Sequence, residues 1–124
     1  MQDVAPTNLK SRLAALSAQC LICAAACAAC VDAAEASGLF DTFRRLMRAA
    51  ADCREICEVT ARVAERYDGR THVLLNLVRA CAKASVDTAS ACDTHVDSIY
   101  AACARACLEC ERTCVQAAAV LRWR

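Results

Sequence analysis

The chain has very little of what interrupts helices: two glycines and one proline in 124 residues. Few turns are therefore expected, and long helices joined by short connections. Aromatic residues make up only 4%, so the core has to be filled by Ala, Leu, Val and Cys. Neither sign of charge dominates. Lys and Arg number 15 against 14 Asp and Glu, a net charge of +1, which leaves no electrostatic footprint for nucleic acid or an anionic membrane surface. No segment is expected to span a bilayer. The opening residues MQDVAPTNLK lack a basic stretch followed by an apolar core, so no export signal is expected and a cytoplasmic location is favoured. No Ser/His/Asp constellation, phosphate loop or pair of acid–base carboxylates lies on the helix faces described below, and no enzymatic activity is expected.

What the chain does have is cysteine, 12 residues in all. In a short secreted chain that density usually marks a disulfide scaffold. Such scaffolds are rich in loops, which are missing here, and cysteines at helical intervals on one helix have diverging Cβ atoms. The segment CARACLECERTC places Cys103, Cys107, Cys110 and Cys114 at steps of four, three and four. At about 100° per residue, all four thiols fall in a strip about 60° wide on one helix face. Near the other end, CLICAAACAAC places Cys20, Cys23, Cys27 and Cys30 at steps of three, four and three.

Residues 1–124 read as one domain, an all-α, antiparallel up-down-up-down four-helix bundle. Residues 1–7 are expected to form a frayed arm, with Thr7 or Asn8 capping the first helix. Its inward seam is Leu9, Leu13, Leu16, Cys20, Cys23, Cys27, Cys30 and Ala34, alternating four and three as a heptad seam does. Gly38 ends it. Asp41 is the expected cap of the second helix, with a seam of Phe43, Leu46, Ala50, Cys53, Cys57, Thr60, Ala64 and Tyr67, closed by Gly69. Thr71 caps the third, whose seam is Leu74, Val78, Cys81, Ser85, Thr88 and Cys92, followed by His95. Asp97 caps the fourth, with Tyr100, Cys103, Cys107, Cys110, Cys114, Ala117 and Leu121 inward, and the last three residues are expected to fray.

Pairing the helices about their turns stacks these seams into layers. Cys30, Leu46, Cys92 and Cys103 form one. Then come Cys27, Ala50, Thr88 and Cys107; Cys23, Cys53, Ser85 and Cys110; and Cys20, Cys57, Cys81 and Cys114. Leucine and other apolar layers close the other half. Cysteine can serve as a small core residue, which accounts for one or two such positions and not for 12 that all fall on the seam.

An interior of thiols suits soft ions. Iron–sulfur ligation has its own loop spacing, which a continuous Ala-rich helix does not provide. Twelve thiolates holding three Zn(II) would leave a buried charge of about −6, whereas about one Cu(I) per thiolate is close to neutral. Cu(I) is the favoured ion, several per chain. His95, three residues after Cys92, is a candidate entry ligand, the alternative being a solvent-facing turn histidine. Met47, near the same end, is a second candidate against a role as core filler. Metal is expected to enter at the end formed by residues 37–41 and 93–97.

The pattern resembles the copper storage proteins, a family of small Cys-rich four-helix bundles. The resemblance rests on CLICAAACAAC, DCREIC, the Cys81–Cys92 spacing followed by His95, and above all CARACLECERTC. It covers nearly the whole chain and implies a homotetramer of bundles, each holding many Cu(I) ions on thiolates, with a copper chaperone as a candidate donor. Many relatives carry cysteine where this chain has Ser85 and Thr88, which implies a lower capacity. Two other readings stay open. Cys20–Cys23, Cys27–Cys30 and Cys107–Cys110 are formally CxxC, as in thiol redox enzymes, although catalytic pairs sit at helix N-termini. A zinc or general metal–thiolate buffer is the other.

Overall fold

The computed structural model describes residues 4–122, with side chains from Asn8 to Arg122. Four helices account for nearly all of them: α1 (Val4–Ser37), α2 (Phe40–Glu65), α3 (Thr71–Cys92) and α4 (Ser98–Leu121). Each packs on its two neighbours around a square, α1 on α2 and α4, and α3 on α2 and α4. This is the expected antiparallel bundle.

The heptad reading selects the core. Every position assigned to the seam from Leu9 to Leu121 is buried, apart from Tyr67 and His95, which are half-buried. Leu16, Leu74 and Leu121 are fully buried at the end away from the cysteines. At roughly 25 cal/mol per Å² of apolar surface, such leucines supply a driving force for folding that needs no metal. Polar atoms in this interior are all partnered among the described residues. Ser17 donates to Glu65 Oε2 at 2.8 Å, and Thr60 donates to the Ile56 carbonyl at 2.7 Å.

The ends differ from the expectation in several places. α1 begins at Val4 rather than at a Thr7 or Asn8 cap. A proline in the first helical turn costs no hydrogen bond there, so Pro6 does not stop the helix. The rest of the expected arm, residues 1–3, lies outside the described residues, as do Trp123 and Arg124. α2 starts one residue before Asp41, with Leu39 as N-cap and no side-chain cap; Asp41 instead pairs with Arg44 across the first turn. Thr71 is the first residue of α3, after an uncapping Arg70. Asp97 is the N-cap of α4, but its side chain makes no capping bond. Gly38 does end α1, at φ 73°. α2, however, stops at Glu65, short of Gly69. Tyr67 therefore lies past the helix, its hydroxyl 2.7 Å from Thr71 Oγ1, pinning the turn.

The expectation that no segment could span a bilayer fails on composition. Residues 13–31 carry no charge, and the helix over Asn8–Ser37 is long and apolar enough by composition to cross a membrane, an 18-residue stretch of it reaching a mean hydropathy of 2.0. In the bundle its cysteine and leucine face is packed against α2 and α4.

Candidate metal centre

All 12 cysteines are free thiols, and all are buried. Their helical phase aims them at the bundle axis, and their small size lets them meet across it. Cys57 on α2 reaches Cys110 on the diagonally opposite α4 at 4.0 Å, and Cys20 on α1 reaches Cys81 on α3 at 3.8 Å.

The sulfurs gather into three groups within which every pair lies within 4.8 Å: Cys20, Cys57, Cys81 and Cys110; Cys23, Cys27, Cys53 and Cys107; and Cys30, Cys92 and Cys103. In the first, Cys57–Cys81 is 3.6 Å and Cys81–Cys110 is 3.8 Å. In the second, Cys23 donates to Cys107 at 3.7 Å, with Cys23–Cys53 at 3.9 Å. Cys53 and Cys57 join the two groups at 3.9 Å. Cys103 neighbours Cys107 and Cys27 as well as its own group, so the three form one column. Cys114 stands outside the groups, beside Cys110, Cys20 and Cys81.

These groups revise the expected layers. Cys30, Cys92 and Cys103 meet as expected, as do Cys23 with Cys53 and Cys57 with Cys81. Cys110, expected in a layer with Cys23, Cys53 and Ser85, keeps Cys23 as a neighbour but gathers with Cys20, Cys57 and Cys81. Cys107 contacts Cys23 as well as Cys27, at 3.7 and 3.9 Å. α4 is thus displaced along the bundle relative to flat layers. Its side chains fall between those of the facing helices, as knobs fall into holes.

The two departures from an all-cysteine column behave differently. Ser85 is fully buried and its Oγ lies 3.7 Å from Cys53 Sγ, inside the sulfur column. Thr88 turns its hydroxyl away, to the carbonyls of Ala84 at 2.9 Å and Ala49 at 3.1 Å.

Protonation is shared within each group. Hydrogen bonds from Cys114 and then Cys20 push Cys110 down. Those from Cys107 and then Cys23 do the same for Cys53, and those from Cys107 and Cys27 for Cys103. Their partners move the other way: Cys57 is pushed up by its bonds to Cys110 and Cys20, and Cys92 up to about 12 by its bond to Cys103. Neighbouring S–H donors thus favour losing the proton of one particular thiol in each group first. That is chemistry suited to binding a soft cation as protons leave.

His95 joins none of the sulfur groups. Its ring packs against Phe43, with centroids 4.6 Å apart, and against Tyr100 at 5.5 Å. The sequence reading placed Phe43 and Tyr100 on the seam and missed this stack. The signal available was that all three rings flank the two turns at one end. Met47 is half-buried against the core at that end. On the outer face Arg112 pairs with Glu109 at 3.4 Å, one helical turn away. His72 is exposed.

No curated protein sequence matches the chain. Three chains of known structure do, two of which are the following. One bears the description "Copper loading to a cytosolic copper storage protein from Streptomyces lividans (five coppers)"; it is 30% identical, with a TM-score of 0.86, over 90% of this chain and 95% of that one. The other is a histidine-to-alanine mutant of the Streptomyces lividans Ccsp, 31% identical with a TM-score of 0.85 and the same coverage. The family model described as copper storage protein matches residues 9–119. That span takes in all four helices and every cysteine of the buried column, and the chain belongs to the copper storage protein family.

Proposed function

We propose that this copper storage protein holds its Cu(I) on the thiols of Cys20, Cys23, Cys27, Cys30, Cys53, Cys57, Cys81, Cys92, Cys103, Cys107, Cys110 and Cys114, and that the whole chain works as one bundle. The observation that carries the reading is the convergence of 11 of these sulfurs into three buried groups. Charge selects the ion. No cationic side chain is buried among the described residues, so divalent ions on full thiolate sets would leave uncompensated negative charge, whereas Cu(I) shared between neighbouring thiolates balances it.

The protein acts as a store and not as an enzyme. Its CxxC pairs lie mid-helix and fully buried, away from the helix N-termini that activate a redox thiol. Copper enters at the end formed by residues 37–41 and 93–97, with His95 and Met47 as entry ligands, and reaches the protein in the cytoplasm from a copper chaperone. The bundles associate as a homotetramer. Support comes from the outer face of the uncharged stretch of α1, where Leu21 and Ile22 are 48% and 56% exposed, adjacent apolar side chains that a neighbouring bundle could cover.

The test is a Cu(I) titration of the reduced chain against a chromogenic chelator. Uptake of more than about eight ions per chain is expected from the shared-thiolate charge balance. Saturation at four or fewer, or equal competition by Zn(II), would refute the reading.

A further inference from the structure

The end of the bundle nearest the third thiol group is shut. Phe43 comes from the first turn of α2, His95 from the α3–α4 turn and Tyr100 from the first turn of α4. Phe43 and Tyr100 stack with centroids 5.1 Å apart, and His95 leans on both. Phe43 is 8% exposed and Tyr100 3%. Next inward lie Cys30, Cys92 and Cys103, and the adjoining turn ties Cys92 to this end: the His95 N–H donates to the Cys92 carbonyl at 3.0 Å. In a chain so poor in rings, the two buried aromatic side chains among the described residues both lie here; Phe40 is exposed and Tyr67 half-buried at the other end.

We propose that Phe43, His95 and Tyr100 form an aromatic gate over the Cys30, Cys92 and Cys103 group, and that its opening sets the rate at which Cu(I) enters and leaves. The proposal rests on the reading of this end as the entrance. A gate has to be closed at rest and inexpensive to open, and the local structure meets both conditions. The rings exclude water and ions from the first thiols. They are held by helix ends rather than by helix middles, and neither the Leu39 nor the Asp97 N-cap position supplies a side-chain cap. First turns without caps open locally at far lower cost than the bundle as a whole. His95, half-buried and in a turn, is the ring that leaves the stack with least loss. Phe43 and Tyr100 are then positioning residues: they hold the imidazole closed and aligned with the path to Cys92.

Stopped-flow uptake by the reduced chain, from Cu(I) held by bicinchoninate, tests the gate, together with release of bound Cu(I) to an excess of the same chelator. Phe43→Leu keeps apolar bulk and removes one ring. It is expected to speed both loading and release about tenfold, the factor that one aromatic pair contributes, with final stoichiometry unchanged. Tyr100→Phe keeps the ring and should match the parent in both directions. Tyr100→Leu opens the other wall and serves if Phe43→Leu fails to fold by circular dichroism. Parental rates in both leucine variants, with His95→Ala still slowing uptake, would overturn the gate and leave the entrance standing. If none of these changes alters a rate while bulky substitutions at Leu13 or Leu121 do, the entrance itself is at the other end.

Discussion

Replacing Ser85 with cysteine should enlarge the store by one ion. Ser85 is fully buried, and its nearest partner is the Cys53 sulfur at 3.7 Å. A hydroxyl held only by a sulfur at that range contributes little, so exchanging it for a thiol of slightly larger volume should shift apo stability by no more than about 1.5 kcal/mol. The new sulfur would stand beside Cys53, which already contacts Cys57 at 3.9 Å and Cys23 at 3.9 Å, at the junction of the two four-thiol groups. Cu(I) at that junction could be shared by thiolates from both. The assay is the chelator-competition titration, run on parent, Ser85→Cys and Ser85→Ala side by side. The expected result is one additional Cu(I) in the cysteine variant and parental saturation in the alanine variant. Thr88→Cys is the contrasting case. Its hydroxyl bonds the Ala49 and Ala84 carbonyls, so losing it should cost about 1–2 kcal/mol in urea unfolding. An unchanged endpoint in Ser85→Cys, with the fold intact, would refute the premise that proximity of sulfur within this column suffices for copper.

The reduced, metal-free chain is expected to give a full helical circular dichroism spectrum, because its leucines are buried without any metal; Leu16→Ala, at a fully buried site, should lower its stability by about 3–5 kcal/mol in urea while leaving copper capacity intact. Binding should weaken as pH falls. Each Cu(I) displaces a proton from thiols that are mostly neutral in the core, Cys92 being raised to about 12, so affinity should drop by up to tenfold for each unit of acidification, and titrations at about pH 6 and about pH 8 would measure it.

The seams were legible because cysteine and leucine recur at three and four, and helical phase alone decides which face turns inward. Leu9 to Ala34 on α1 and Tyr100 to Leu121 on α4 needed nothing else. Helix starts were less legible. Asp41 and Thr71 have the chemistry of caps, but the chain enters α2 through Leu39 and α3 through Arg70, because packing of the seam, not a cap, sets where those helices begin. The grouping of Cys110 with Cys20, Cys57 and Cys81 depends on an axial offset between helices, a property of interdigitating side chains that no single-helix pattern records. The His95 stack joins residues more than 50 positions apart in the sequence, which is contact information that periodicity does not carry. The expected absence of a bilayer-length apolar segment was wrong on the sequence itself, because residues 13–31 of α1 carry no charge.

The division of the interior into a sulfur half and a leucine half has a consequence for scale. The leucine half anchors the fold, and the sulfur half repeats a four–three spacing with no feature that fixes its length. Seven residues inserted into each helix at the same level would lengthen the container by two turns and preserve every seam. The vessel would hold more, with the same stopper of leucine at its base and the same aromatic rim. Storage volume in this architecture is a matter of how tall the walls are, and it can be altered without redesigning the floor.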